Sequence, residues 1–307
     1  MPDLYSSQSV KKRLIRGRYC YILLVPVALY FIIFHFVPMF GIVIAFKDYN
    51  VFRGIFSSPW VGMKHFTKFF TSRQWGNIIW NSLVLNIISI LFVFPAPIIF
   101  AILLNEVRNQ VFKRAVQTIT YLPHFISVVV LVSMMSGIFS LTNGLINQML
   151  GRLGCDPINF LVSKNWYRPL YTLSSIWQET GWSSVVYFGA ISTIDPQLYE
   201  AARIDGAGRL KQILHVTLPG ILSTIIIMLI MRTGTILTVG LEKSLLMSNS
   251  ANRNVSRVLS TYIYEEGLGK SNYAYATAVN LVNSVVSLSV LAIVNTICKR
   301  TADISIW

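Results

Sequence analysis

Glu179 and Arg232 are the two charges that fall deepest inside apolar stretches of this chain, and intramembrane charge is where chemistry is to be sought first. A central charge costs about 2.5–3.5 kcal/mol in hydrocarbon, so each must face protein, water or a ligand. Both belong to polar stripes at helical spacing: Thr172, Ser175, Glu179, Trp182 and Ser183 on one segment, Thr224, Arg232 and Thr235 on another. Asn280, Asn283, Ser284 and Ser287 form a third stripe, and Ser82, Asn86 and Ser89 a fourth. Such hydroxyls and amides either hold helices together or line a polar path. Glu179, Trp182, Arg232, Asn280 and Asn283 are the candidates for ligand contact. Glu179 and Arg232 equally suit a structural ion pair with each other.

Catalytic and metal patterns are absent from the sequence. There is no G-x-x-x-x-G-K-[ST] to cradle a nucleotide, no G-x-S-x-G and no H-E-x-x-H. Histidines such as His35 and His124 are isolated, and Cys20, Cys155 and Cys298 are too far apart to imply a disulfide framework. No metal site and no bound cofactor are expected.

A different chemistry is concentrated between Ile194 and Pro219, the one long run in the second half that mixes acids, bases and small residues. Asp195-Pro196 is a helix start, because Asp accepts first-turn N–H groups and Pro is tolerated there. Gly206 permits the turn that ends this helix, and a second amphipathic stretch built on Leu210, Ile213, Leu214 and Val216 runs to Pro219. Pattern alone suits an interfacial helix. The run E-A-A-R-I-D-G-A and the later V-x-L-P, however, resemble the EAA loop of membrane subunits of binding-protein-dependent ABC importers. Val216 stands where the family usually has Ile. The resemblance implies that Glu200, Ala201, Ala202, Asp205, Gly206, Leu218 and Pro219 couple this chain to an ATP-hydrolysing subunit. Small residues there allow close approach, and the carboxylates fix register.

Further segments resemble the oligosaccharide and polysaccharide permease branch: V-G-M-K-H-F-T-K-F-F, N-G-L-I-N-Q-M-L-G-R-L-G, I-W-Q-E-T-G-W, T-Y-I-Y-E-E-G-L and Y-A-Y-A-T-A-V. The expected fold is then an all-α, six-span transmembrane bundle of the type I importer (MetI-like) kind. The expected partners are a second homologous permease subunit, two ATP-binding subunits that hold ATP and Mg, and an extracellular solute-binding protein. The cargo would be an oligosaccharide, and an excess of base in the outer loops fits an acidic one.

The elements that must position these residues are spans. Hydrophobic residues make up 54% of the chain and charged ones 12%, with mean hydropathy +0.58; several apolar runs reach the ~20 residues needed to cross a bilayer. The net charge of +14 would suggest nucleic acid in a soluble protein, but here bases gather near span ends, where they orient the chain and meet anionic lipid. We expect a cytoplasmic tail at 1–18, where Lys11, Lys12, Arg13, Arg16 and Arg18 precede the first span, and a permease domain at 19–297 with its core about 79–297. Spans are expected near 19–46, 79–104 (kinked or broken at Pro95-Ala96-Pro97), 119–139, 169–191, 220–239 and 273–297. The EAA loop occupies 194–219, and 298–307 returns to the cytoplasm. The setting is a bacterial inner membrane with both termini inside. A proton-coupled secondary transporter using Glu179 is the competing expectation; it leaves the EAA run unexplained.

Overall fold

The computed structural model describes residues 18–307, without the side chains of Arg18 and Cys20. The basic cluster Lys11, Lys12, Arg13 and Arg16 lies outside the described residues. Described residues are mainly helical, and their one β-bridge joins Lys47 to Trp60.

Helix α1 (Tyr21–Phe46) is long and apolar enough to cross a membrane, and its apolar side chains are largely uncovered along most of its length. Only its end packs, with Ala45 against Phe66 of α2 (Lys64–Phe70) and Ala278 of the last helix. Helix α3 (Trp75–Asn105) is also a candidate span. The regular α-helical pattern, expected to kink or break at Pro95-Ala96-Pro97, is interrupted directly before Pro95. Pro95 and Pro97 have no N–H to donate, and the turn Ser89–Val93 is π-helical, with Phe94 N–H donating to Ser89 O at 2.9 Å.

The stretch 119–139, expected as one span, is instead an elbow. Helix α4 (Gln110–Tyr121) starts on Asn109, whose side chain caps two N–H groups, and passes into a 3-10 turn over Leu122–Phe125. Helix α5 (Val128–Phe139) leaves at 101° to that direction. Pro123 and the extended Ile126 and Ser127 interrupt the ladder, and the Ser127 hydroxyl caps the new helix.

Helix α6 (Leu145–Arg152) follows, and then α7 (Lys164–Ser192), whose 29 residues span about 43 Å at 1.5 Å each. Polar side chains keep its hydropathy below that of α1 or α3, and it packs against α3, α4 and α5's preceding turn. Helices α8 (Pro196–Ile204) and α9 (Arg209–Gly220) form the EAA hairpin, and α10 (Leu222–Thr233) leaves α9 at 59°. The fifth expected span, 220–239, is helical only to Thr233.

The segment after it, between the fifth and sixth expected spans, folds as α11 (Leu241–Met247), α12 (Arg253–Ser256) and α13 (Leu259–Tyr264), packed among the bundle helices. Three α3 residues fasten it, Asn77 by donating to the Asn254 carbonyl at 2.9 Å. The Asn81 amide donates to the Asn254 and Arg257 carbonyls at 2.8 and 3.1 Å, and the Ser82 hydroxyl accepts Leu259 N–H at 2.8 Å. Asn81 also accepts from Arg168 at 3.0 Å. Helix α14 (Tyr273–Ala302) closes the bundle, with Tyr275 and Val279 in a core shared with Phe69, Ile78, Leu259 and Tyr262.

Because Asn81 is fully buried, Asn81→Ala removes the partner of the Arg257 carbonyl and of the Arg168 guanidinium, while the Asn254 carbonyl keeps the Asn77 amide at 2.9 Å, at about 1–3 kcal/mol. The variant is expected to melt earlier in detergent and to exchange amide hydrogens faster over 241–264.

Candidate functional site

A cavity of about 990 Å³ lies beside the middle of α3 and α7. Asn86 and Ser89 face it from α3, Ser175, Glu179, Trp182 and Ser183 from α7, and Arg232 from α10. The stripes recognised in the sequence therefore converge in part. Thr172 does not take part, being buried and donating back to the Arg168 carbonyl. Nor do Asn280 and Asn283: Asn280 is exposed elsewhere on α14, and Asn283 lies 3.4 Å from the Thr238 hydroxyl, behind the wall.

Glu179 and Arg232 do not pair. The Arg232 Nη2 donates to the Ser89 hydroxyl at 2.7 Å, so α10 is tied to the π-helical turn of α3. The Glu179 carboxylate sits 3.4 Å from His124 Nδ1, close enough for attraction but not aligned as a hydrogen bond. His124 is thus not isolated: its ring also stacks on Trp182, centroids 5.0 Å apart and 7° from parallel. One turn earlier the Gln178 amide donates to Ile126 O at 2.9 Å, on the other side of the elbow. A single stretch of α7 thereby clamps the bend between α4 and α5 and furnishes a cavity wall.

Helix α11, between the fifth and sixth expected spans, brings in Lys243. It is 94% buried. Its ammonium donates to Tyr171 O at 3.0 Å and the Ser175 hydroxyl at 2.7 Å, and lies 4.6 Å over the Tyr171 ring. Burial pushes the ammonium down to about 7, and the Glu179 carboxylate acts in the opposite sense. The short stretch G-L-E-K-S-L-L carries no periodicity or motif that separates it from a loop, so the only available signal was a lone base among apolar neighbours.

The EAA hairpin has the local structure its residues dictate. The Asp195 carboxylate accepts Gln197 N–H at 2.9 Å with Pro196 next to it, and Gly206 takes φ +74°. Ala207 N–H then donates to Ala202 O at 2.8 Å. Glu200, Ala201, Asp205, Gly206 and Pro219 are exposed; Ala202 and Leu218 are half-buried. The arms are joined by the Tyr199 and Thr217 hydroxyls at 3.0 Å, Thr217 being fully buried. Ile204 and Leu210 nevertheless leave 88% and 75% of their surface uncovered.

Residues 75–303 match the family described as the binding-protein-dependent transport system inner membrane component. The chain belongs to this family. It is the transmembrane permease subunit of an ABC importer, and the proton-coupled reading of Glu179 finds no support. Two relatives from Bacillus subtilis (strain 168) are each 44% identical to this permease. The polygalacturonan/rhamnogalacturonan transport system permease protein YteP aligns over 96% of this chain and 92% of its own, and Protein LplB over 93% and 90%. Among solved structures, a bacterial ABC transporter involved in the import of the acidic polysaccharide alginate superposes with TM-score 0.89 at 40% identity. That match covers 95% of this chain and 99% of the other. A second structure of the alginate transporter, in complex with an alginate pentasaccharide-bound periplasmic protein, matches at TM-score 0.89 and 39% identity over 97% and 99%.

In this permease the Tyr199–Thr217 contact makes the hairpin one unit. Tyr199→Phe should remove about 0.5–1.5 kcal/mol of local stability, read as faster hydrogen exchange over 196–217 with the bundle's protection unchanged.

Proposed function

We propose that this permease carries an acidic oligosaccharide, delivered by an extracellular binding protein, through a path formed with a second homologous permease. The observation that carries the reading is the cavity. It combines amides and hydroxyls suited to sugar hydroxyls, an indole in Trp182 suited to a ring face, and two cations, Arg232 and Lys243, suited to carboxylates. The names of the relatives point the same way, since polygalacturonan and alginate are polyuronates.

Energy is supplied by two partner ATPases that bind ATP and Mg, for this chain has no nucleotide-binding motif of its own. They grip the hairpin at Glu200, Ala201, Ala202, Asp205, Gly206, Leu218 and Pro219. The uncovered Ile204 and Leu210 at its tip support a docking role, because exposed apolar side chains beside charged ones suit an interface. The setting is a bacterial inner membrane. Six spans cross it, the third at the elbow and the fifth beginning with α10 beyond the bend from α9, with hairpin and both termini in the cytoplasm. Closure of the ATPases pushes on the hairpins and rocks the spans between inward and outward openings.

The test is reconstitution of the complete complex in proteoliposomes with its binding protein. Uptake of oligogalacturonate that requires ATP on the hairpin side supports the reading. Labelling of a Glu200→Cys variant from the side that receives the binding protein would overturn it.

A further inference from the structure

Lys243 is anomalous among the described cations in being buried without an ion pair. Taking an ammonium out of water is costly unless a carboxylate compensates it. Other bases of this region have such partners: Arg253 and Arg257 share Glu265 at 3.0 and 2.5 Å, and Lys270 meets Glu266 at 2.5 Å. Lys243 is more deeply buried than any of these and forms no ion pair with a described acid. Its two hydrogen bonds go to neutral oxygens, which leaves one of the three ammonium donors unassigned.

The acids that line the same cavity form no ion pair with Lys243. Glu179 acts on the ammonium only from a distance, its carboxylate lying 3.4 Å from His124, and Glu242, although adjacent in sequence, is exposed. Arg232, the other cation of the cavity, is exposed and therefore keeps its hydration, so its charge needs no partner. The position is also held firmly. Helix α11 is packed into the bundle by a segment pinned to Asn81 and Ser82, and the lysine ammonium lies over the Tyr171 ring.

We propose that Lys243 is the specificity-determining residue of the cavity, reading the carboxylate of an acidic sugar unit with a buried ammonium that no described acid pairs. The proposal rests on the oligosaccharide reading above and narrows it to one residue. A uronate carboxylate entering the cavity would complete the ion pair and restore the charge that burial disfavours, whereas a neutral hexose or a uronate methyl ester would leave the ammonium uncompensated. Discrimination then comes as much from rejecting the neutral unit as from binding the acidic one.

The test is uptake by the whole complex, with its binding protein, of trigalacturonate and of its methyl ester, for the wild type and for Lys243→Met and Lys243→Arg. Each variant is compared with wild type on the same substrate, so the binding protein's own preference cancels. Methionine has a similar length and replaces a buried charge without leaving another unpaired. Lys243→Met is expected to raise the half-saturating concentration for the acid at least about ten-fold, the size of one lost charge-assisted hydrogen bond. The ester should change several-fold less, and Lys243→Arg should retain most of the acid's uptake. If the wild type takes up only the acid, loss with methionine and retention with arginine sustains the proposal. Equal losses for both substrates, or for both variants, would show that Lys243 merely holds α11 to α7, and unchanged uptake by Lys243→Met would remove any role for it. Wild-type uptake of acid and ester with equal efficiency sinks the proposal and leaves the oligosaccharide reading standing. Uptake of neither sinks both.

Discussion

Gly206→Val is expected to lower uptake by the assembled importer at least about ten-fold, together with the stimulation of ATP hydrolysis by loaded binding protein. Gly206 sits at φ +74° with nothing within 4 Å of where a Cβ would stand, so crowding is not the cause. The left-handed region itself costs an L-residue about 1–2 kcal/mol, and β-branching makes it worse. The chain relieves that strain by reopening the turn between α8 and α9, which carries Asp205 and the N–H donor of Ala207. Glu200 and Asp205 lie on one side of the turn and Leu218 and Pro219 on the other, so a change of a few tens of degrees at Gly206 misaligns the two halves of the docking surface. The bundle is not involved, because Tyr199, Thr217 and the packing of Ile194 beside Gly220 lie away from the turn. Gly206→Asn is the control: Asn tolerates this conformation better than other residues with a Cβ, and should retain much of the coupling. Uptake by Gly206→Val at the wild-type rate would remove the hairpin from the mechanism.

What could be read in the sequence followed the range of the interactions that decide it. The EAA hairpin is local: Asp195 caps N–H groups two residues away and Gly206 satisfies its own backbone, so the residues name the structure. Helices α1, α3 and α14 are legible because a long apolar run has few alternatives in a bilayer. The elbow at Leu122–Ser127 was not, since it depends on Gln178, Gly181 and Trp182 more than fifty residues away. Periodicity cannot report that partner. Lys243 was missed for the same reason, as a charge within an apparent loop gives no sign that Asn81 and Ser82 draw its segment into the bundle. The polar stripes were read correctly as stripes but not as neighbours. Glu179, Trp182 and Arg232 reach one cavity, whereas the rotation of α14 turns Asn280 and Asn283 elsewhere, and rotation about a helix axis is set by packing on all sides.

The elbow leads to the second large effect. A Cβ on Gly181 would stand 2.0 Å from the Thr120 carbonyl oxygen and 2.4 Å from its carbon. Those are backbone atoms at the end of α4, so no rotamer change relieves the clash; α7 and α4 must separate. Small residues at such crossings let helices approach closely in a membrane, where apolar burial adds little drive. Gly181→Ala is expected to cost about 1–3 kcal/mol, in the range of overpacked cores, and Gly181→Val more. The consequence is larger than the energy suggests, because the same turn of α7 holds the elbow. Gln178 bonds Ile126 O, His124 lies against Glu179, and Trp182 stacks on His124, all within one helical turn of Gly181. Moving α7 outward loosens all three contacts and shifts Glu179 and Trp182 in the cavity wall. Gly181→Ala should therefore reach the membrane in reduced amount, melt earlier in detergent and transport more slowly per assembled complex. Gly181→Val should scarcely accumulate. Thr120→Gly serves as the discriminating second change: it removes the Cβ 3.1 Å from the added group but leaves the carbonyl in place, so it should not rescue Gly181→Ala. Rescue would mean that side-chain crowding, not backbone contact, sets the distance between α7 and the elbow.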